Sequence, residues 1–250
     1  MILGVVPDTI SRILSVWKHY YEYGNTFGFK PRFIYKNKKL ELLNNPIDSE
    51  SKFQEYEKYL EYIRQNDYFY QKKFKKEKIS FPFIVSIWKN FPRTFYIIFW
   101  VLKNNYFKIG NKSSTQKWKP MNLIMKTNLN WRINLFKSKN SLLLEEIIKN
   151  FIQYSDEKNF IPILLILPQK DDVTFIKNNY HFYKNFLKDI KNLDKIIVLD
   201  FTTKLLSESN LDELYSDDNE YGGHFTKKTN QLLASFLFNE LKTRKLIGEI

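Results

Sequence analysis

The chain contains no cysteine, so neither disulfide bonds nor thiolate metal ligands can contribute to its fold or its chemistry. Its 3 histidines are isolated in the sequence, and no His/Asp spacing predicts a metal cage, so we expect no metal and no cofactor. Glycine and proline are scarce, at 7 and 8 residues, whereas 43% of the chain is hydrophobic and 17% is aromatic. This composition excludes a disordered chain and allows a full hydrophobic core.

The chain also lacks a hydrophobic run long enough to span a membrane. Residues 94–102 cover only half of the roughly 20 apolar residues that a spanning helix needs, and Arg93 and Lys103 flank them. This stretch is compatible with a buried helix or with one that touches a membrane. Residues 1–6 lack the basic leader and the length of a signal-peptide core, which leaves the localisation open with the cytoplasm as the default.

The net charge of +13 comes mainly from lysine. A strongly basic protein can bind nucleic acid or an anionic membrane surface, and such binding would weaken steeply with salt. The alternative is the amino-acid bias of an AT-rich genome, because asparagine, isoleucine, tyrosine and phenylalanine are abundant too. The lysines are scattered, and even the densest run, at 72–78, is typical of a solvated loop or helix end. We therefore do not expect a nucleic-acid partner.

The clearest periodicity predicts an α/β fold. All-apolar segments typical of buried parallel strands alternate with helical patterns in the last part of the chain, and one further such segment opens it. The predicted strands are 1–6, 161–167 and 195–200, and the predicted helices of the last part are 142–154, 173–190 and 226–241, with Thr226 as cap. Alternation of this kind implies a parallel sheet with helices on both faces.

The rest of the chain is less regular. A helix is predicted from Thr9 to Trp17, a basic hairpin or extended loop over 29–43 and a helix over 53–70. Residues 60–140 contain irregularly mixed aromatic and basic residues, which favours a helical or irregular insertion, or a lid, within a single domain of residues 1–250.

Ligands of α/β proteins bind at the carboxyl ends of the parallel strands. Three segments are expected to share that edge: residues 7–9, residues 168–172 and residues 201–225. His224 lies in the last of these, after Gly222 and Gly223, and an acidic loop precedes it. An imidazole held by a carboxylate is what a serine hydrolase requires as its general base. A capping or packing histidine is the alternative, and a structural role is favoured for His19 and His181, which lie in aromatic stretches.

Parts of this pattern resemble the SGNH/GDSL hydrolases. The similarity is carried by Tyr221-Gly222-Gly223-His224-Phe225-Thr226 with Asn230 and the helix at 232–234, by 163–172, and by 1–12 with 21–33. It implies a three-layer α/β/α sandwich with a parallel, flavodoxin-like sheet, incomplete at the amino terminus. The block that supplies the nucleophilic serine would precede Met1, and the chain opens directly on a buried strand, so we expect a missing upstream segment.

The resemblance also assigns roles. His224 would be the general base, and Asp218 or Glu220 would orient it, because Tyr221 stands where the family has its aspartate. Substrate or oxyanion contacts are expected from Thr9, Asn25, Asp171 and Asp172, and either of these aspartates could instead support His224. The implied substrate is an acyl ester, in particular an O-acetyl group on a carbohydrate, although residues 1–250 alone would be inactive without the serine. The alternative is a catalytically inactive SGNH-like protein that binds a glycan or an acidic polymer.

Overall fold

The computed structural model describes residues 1–22, 26–91, 93–102, 119–216 and 222–247. The chain forms two compact units. The first, here called the sheet unit, consists of Met1–Ile10 and Arg132–Ile250, and the second, here called the aromatic unit, is Ser11–Trp131. Most of the predicted insertion, residues 60–131, therefore belongs to the aromatic unit, and residues 132–140 belong to the sheet unit.

The sheet unit is built on three parallel strands in the order β1-β4-β5: β1 is Ile2–Val5, β4 is Ile163–Ile166 and β5 is Ile197–Asp200. Gly4 lies opposite Leu165, which lies opposite Leu199. The predicted parallel sheet of a mixed α/β fold is thus confirmed.

The central strand β4 is buried on both faces. Successive side chains of a strand point to opposite faces. Ile163 and Leu165 pack in a core cluster with Leu199 and with residues of the last helix, whereas Leu164 and Ile166 point the other way and are buried too. Burial on both faces is why β4 is apolar at every position.

Among the described residues, five α-helices lie wholly in the sheet unit: α9 Ser141–Lys158, α10 Lys170–Asn178, α11 Lys184–Lys191, α12 Thr202–Leu206 and α13 Lys227–Thr243. The prediction of the closing helix is confirmed, including its cap, because the Thr226 side chain accepts a hydrogen bond from the Thr229 amide. The prediction of one helix over 173–190 is wrong. Asn179 leaves the helical region of backbone conformation, so α10 and α11 are separate.

The aromatic unit contains a hairpin and many short helices. The hairpin pairs strand β2, Arg32–Lys36, with strand β3, Lys39–Leu43, in antiparallel fashion, as predicted from residues 29–43. The α-helices are, in chain order, α1 Thr9–Arg12, α2 Lys18–Tyr21, α3 Glu50–Gln54, α4 Leu60–Asn66, α5 Lys75–Glu77, α6 Phe83–Lys89, α7 Arg93–Leu102 and α8 Lys119–Lys137. A 3₁₀ turn at Tyr56–Tyr59 precedes α4, and a π turn at Tyr70–Phe74 precedes α5. Helix α1 begins in the sheet unit, and the residues of α8 from Arg132 onwards belong to the sheet unit.

Two predicted helices of this region are shorter than their patterns indicate. The helix predicted over 9–17 ends at Arg12, and the one predicted over 53–70 is interrupted near Glu55 and at Asp67. Directly after α1, the amides of Leu14 and Ser15 donate to carbonyls three residues back, so the chain leaves the helix through tight turns. The next two amides, of Val16 and Trp17, donate to Asp67 Oδ2 at 2.6 and 3.0 Å, so the helix cannot resume towards Trp17. An amide bound to a distant side chain cannot close a helical turn.

Candidate active site at the carboxyl edge of the sheet

The three segments predicted to share the carboxyl edge of the sheet do meet there. The Lys170 amide donates to the Gly222 carbonyl at 2.7 Å, and the Tyr215 hydroxyl donates to the Pro168 carbonyl at 2.8 Å. Both contacts join the loop after β5 to the segment after β4. The segment after β1 joins them through Asp8, which forms an ion pair within the same unit.

That ion pair centres on Arg132, a fully buried side chain of α8. Its guanidinium contacts three carboxylates: Asp8 at 3.7 Å, Asp171 at 3.0 Å, and Asp172 in a direct hydrogen bond. All three aspartates are buried. Asp172 also accepts the Gln169 amide at 2.9 Å and so caps the first turn of α10. The cluster connects the segments that follow β1 and β4 to Arg132, which lies within the insertion predicted over residues 60–140.

One guanidinium cannot balance three carboxylates, and burial disfavours each negative charge. Burial raises the pKa of Asp172 to about 7, against the opposing attraction of Arg132 and with a further increase from Asp171. Burial likewise raises the pKa of Asp171. We therefore expect Asp172 to hold a proton in the mildly acidic range.

His224 is exposed and lies on a loop whose backbone is fixed on both sides. A side chain at position 223 would place its Cβ 2.8 Å from Gln169 Nε2, so Gly223 permits the close approach to the edge. On the other side, the His224 carbonyl accepts the Ser216 amide at 2.9 Å and the Ser216 hydroxyl at 3.1 Å. The bridge between Tyr215 and Phe225 continues this pairing. The imidazole is thus carried by a constrained turn immediately before α13.

The other predicted site residues divide into three groups. Thr9 is half-buried at the start of α1, where its amide donates to the Val6 carbonyl at 2.8 Å. Asp171 and Asp172 lie at the edge, as expected, with their carboxylates against Arg132. Asn25, Asp218 and Glu220 fall outside the described residues.

A second imidazole, that of His181, lies near the carboxyl end of β5. His181 Nε2 is 3.2 Å from Asp200 Oδ2, and the Tyr183 hydroxyl is 2.6 Å from Thr202 Oγ1. Both contacts join residues at the end of β5 to residues just before α11. This geometry fits the structural role favoured for His181.

Sequence reasoning missed Arg132, although a signal was present. Arginine is rare beside lysine in this chain, and Arg132 follows Leu129 and precedes Ile133 on the buried side of α8. A charged residue within an apolar helical stripe needs a buried partner. Asp171 and Asp172 were considered only as partners of a substrate or of His224.

Among the described residues, no group of three or more His, Asp or Glu side chains is arranged to hold a metal ion. Comparison of the chain with protein-family models, with curated proteins and with solved structures found no match.

Proposed function

We propose that the sheet unit is the hydrolase core of an SGNH/GDSL-type serine esterase with a three-layer α/β/α, flavodoxin-like architecture. The parallel order β1-β4-β5 and the burial of β4 on both faces support this architecture. So does the position of the glycine-flanked histidine directly before the last helix. In this proposal His224 is the general base.

The observation that carries the proposal is the fixed turn at Gly222, Gly223 and His224. It is bound to the amide of Lys170 beyond the end of β4, and the histidine that it carries is exposed. Parallel α/β sheets bind their ligands at this edge. A constrained backbone with a solvent-accessible imidazole is the arrangement that general base catalysis requires.

The reaction that we propose is acyl transfer to a serine followed by hydrolysis. The serine hydroxyl attacks the ester carbonyl carbon while His224 takes its proton. The imidazolium then returns the proton to the leaving alkoxide as its bond to carbon breaks, and water releases the acyl group by the same steps. The serine is expected on a segment that precedes Met1, and Asp218 or Glu220 orients the imidazole. Thr9 and Asn25 are the proposed oxyanion contacts, and the substrate is an acyl ester, in particular an O-acetyl group on a carbohydrate.

The test is ester hydrolysis by the product of the complete open reading frame, including any codons upstream of Met1. We expect His224→Ala to lower kcat/KM for p-nitrophenyl acetate by about 10³-fold or more, because the serine loses its base. The matched control is His19→Asn, a histidine change in the aromatic unit, which should leave turnover unchanged. Activity of His224→Ala within about tenfold of the wild type would reject His224 as the base.

The alternative remains a catalytically inactive protein of the same fold that binds a glycan or an acidic polymer. It predicts no turnover by the complete gene product and no labelling by a fluorophosphonate, together with retained binding to an acidic polysaccharide. Fluorophosphonate labelling of a serine, lost when that serine is changed to alanine, would contradict it.

A further inference from the structure

Helix α6 of the aromatic unit buries a polar side chain and exposes its large apolar ones. Its buried side chain is Ser86, whose hydroxyl accepts the Ser80 amide at 3.1 Å and donates to the Lys78 carbonyl at 3.2 Å. Its large apolar side chains face outwards: Ile84 is 82% exposed and Trp88 is 76% exposed. A helix that packs on a core has the opposite arrangement.

Helix α7 repeats this inversion. Thr94 is buried, whereas Phe95, Phe99 and Leu102 are exposed. Their spacing of four and then three residues puts these three side chains on one helical stripe. Phe91 joins the two helices, because its ring lies 5.8 Å from that of Trp88 and 5.9 Å from that of Phe95.

We call this region the apolar surface. Its members are large hydrophobic side chains that are all exposed: Phe81, Phe83, Ile84, Val85, Trp88, Phe91, Phe95, Phe99 and Leu102. Single exposed apolar side chains are common on proteins, but a contiguous group of this kind marks an interaction site.

A lysine-lined cleft borders the apolar surface. The cleft has a volume of about 690 Å³, and its walls include Phe81 and Val85 of the apolar surface. Five exposed lysines line it: Lys72, Lys75, Lys76, Lys78 and Lys89. Glu77 also lines the cleft, and it lies 3.9 Å from the buried Lys73. Exposed rings and exposed positive charges are therefore adjacent.

We propose that this part of the aromatic unit is a docking surface for a membrane that contains anionic phospholipids. The exposed rings enter the boundary between headgroups and acyl chains, and the five lysines contact the lipid phosphates. No helix among the described residues is long and apolar enough to cross a membrane. The proposal is independent of ester hydrolysis.

The lysines and the exposed rings together favour an anionic membrane over two other partners, a second copy of the chain and a soluble acidic polymer. A second copy of the chain placed on the same surface would bring two lysine clusters together, which costs free energy. A soluble acidic polymer would neutralise the lysines but would leave the rings of α6 and α7 in water. An anionic bilayer provides acyl chains for the exposed rings and phosphates for the lysines.

The test is flotation of the full chain with lipid vesicles. We expect binding to vesicles that mix phosphatidylglycerol with phosphatidylcholine, weak binding to phosphatidylcholine alone, and a decrease as salt rises. The double variant Ile84→Ser, Trp88→Ser should bind about 10-fold more weakly or worse. The triple variant Lys75→Glu, Lys76→Glu, Lys78→Glu should bind about 100-fold more weakly or worse.

Matched controls come from the exposed side of the hairpin. Phe33→Ser with Leu42→Ser removes two other exposed apolar side chains, and Lys36→Glu, Lys38→Glu, Lys39→Glu makes the same change in net charge as the lysine variant. Both controls should bind as the wild type. Circular dichroism verifies that every variant is folded.

Three outcomes would overturn the proposal. Wild-type vesicle binding by the Ile84→Ser, Trp88→Ser variant would show that the rings do not enter the membrane, and the proposed docking surface would be wrong. Dimerisation in sedimentation velocity that this variant abolishes, without vesicle binding, would assign the surface to a second copy. Equal loss of binding in the hairpin controls would reduce the effect to the overall charge and hydrophobicity of the chain.

Discussion

The two units of this chain differ in how well their most hydrophobic segments mark the core. In the sheet unit the core follows the sequence pattern, since the apolar strand β4 is buried and packs with α13 through the core cluster. In the aromatic unit several of the most hydrophobic side chains of α6 and α7 are exposed, while Asp67 and Lys73 are buried. The aromatic unit has an apolar core too, with Ile63 and Phe69 buried, but in α6 and α7 hydrophobic side chains mark a surface.

The units also differ in how they stabilise a buried charge. Arg132 of the sheet unit is neutralised by side-chain carboxylates. Asp67 of the aromatic unit is stabilised mainly by the backbone: it accepts four amides, from Val16, Trp17, Phe69 and Tyr70, and the Ser15 hydroxyl. The Arg132 contacts connect residues that follow β1 and β4. The Asp67 contacts connect residues 15–17 with residues 67–70, two segments that do not pair as β-strands.

The largest effect should come from removing the buried charge of the sheet unit. Arg132→Leu removes a buried cation that contacts three buried carboxylates, and we expect the free energy of unfolding to fall by about 3–5 kcal/mol at neutral pH. Urea unfolding followed by far-ultraviolet circular dichroism measures it. Arg244→Leu is the control, because Arg244 pairs with Glu240 on the exposed side of α13, and it should cost about 0.5 kcal/mol or less.

The tryptophans sharpen this test. All 5 lie within residues 11–131, so their fluorescence reports on the aromatic unit. Arg132→Leu should shift the unfolding midpoint more in circular dichroism than in tryptophan fluorescence. Equal shifts would mean that the two units unfold together, and an unchanged stability would mean that the carboxylates do not need Arg132.

A somewhat smaller effect is expected in the aromatic unit. Asp67→Asn replaces one acceptor oxygen by an amide group that faces backbone donors, so at least one buried amide loses its partner. We expect a loss of about 2–4 kcal/mol, read out by tryptophan fluorescence, since Trp17 is among the residues held. Asp48→Asn changes an exposed aspartate paired with Lys52 and should alter stability by about 0.5 kcal/mol or less. Similar small effects of both variants would show that Asp67 does not organise the unit.

The sequence predicted the sheet unit well for a physical reason. A strand buried on both faces must be apolar at each position, and a capped amphipathic helix has local signals at its ends, so β4 and α13 are readable from neighbouring residues. The shared edge of residues 7–9, 168–172 and 201–225 followed from the parallel order alone. The orientation of each side chain did not follow, and Asp171 and Asp172 were assigned without knowledge of Arg132.

The aromatic unit was less predictable because its elements are set by distant side chains. The segment after α1 does not resume the predicted helix towards Trp17, because Asp67 binds the amides of Val16 and Trp17 from 51 and 50 residues away. The outward orientation of Ile84 and Trp88 has no signal in hydrophobicity, which by itself predicts burial. What could have indicated it is the position of Ser86 and Thr94 opposite the apolar stripes.

The smallest predicted effect concerns pH and returns to the Arg132 cluster. Because burial raises the pKa of Asp172 to about 7, the folded protein keeps a proton that the unfolded chain loses near pH 4. Between these values the folded state binds more protons, so this carboxyl group makes the free energy of unfolding fall as pH rises. Measured as the difference between wild type and Asp172→Asn, the fall should be about 2 kcal/mol between about pH 5 and pH 7.

Asp156→Asn is the control for this pH dependence, because Asp156 is an exposed partner of Lys195 and its replacement should leave the wild-type slope unchanged. If Asp172→Asn instead kept the full wild-type slope, the proton would reside on another member of the cluster, and Asp171→Asn would then be expected to flatten the curve. A flat wild-type curve over the same range would mean that Arg132 holds all its carboxylates ionised. The buried charge of the sheet unit would then resemble that of an ordinary ion pair, and the contrast with Asp67 would lie only in the choice of side-chain or backbone partners.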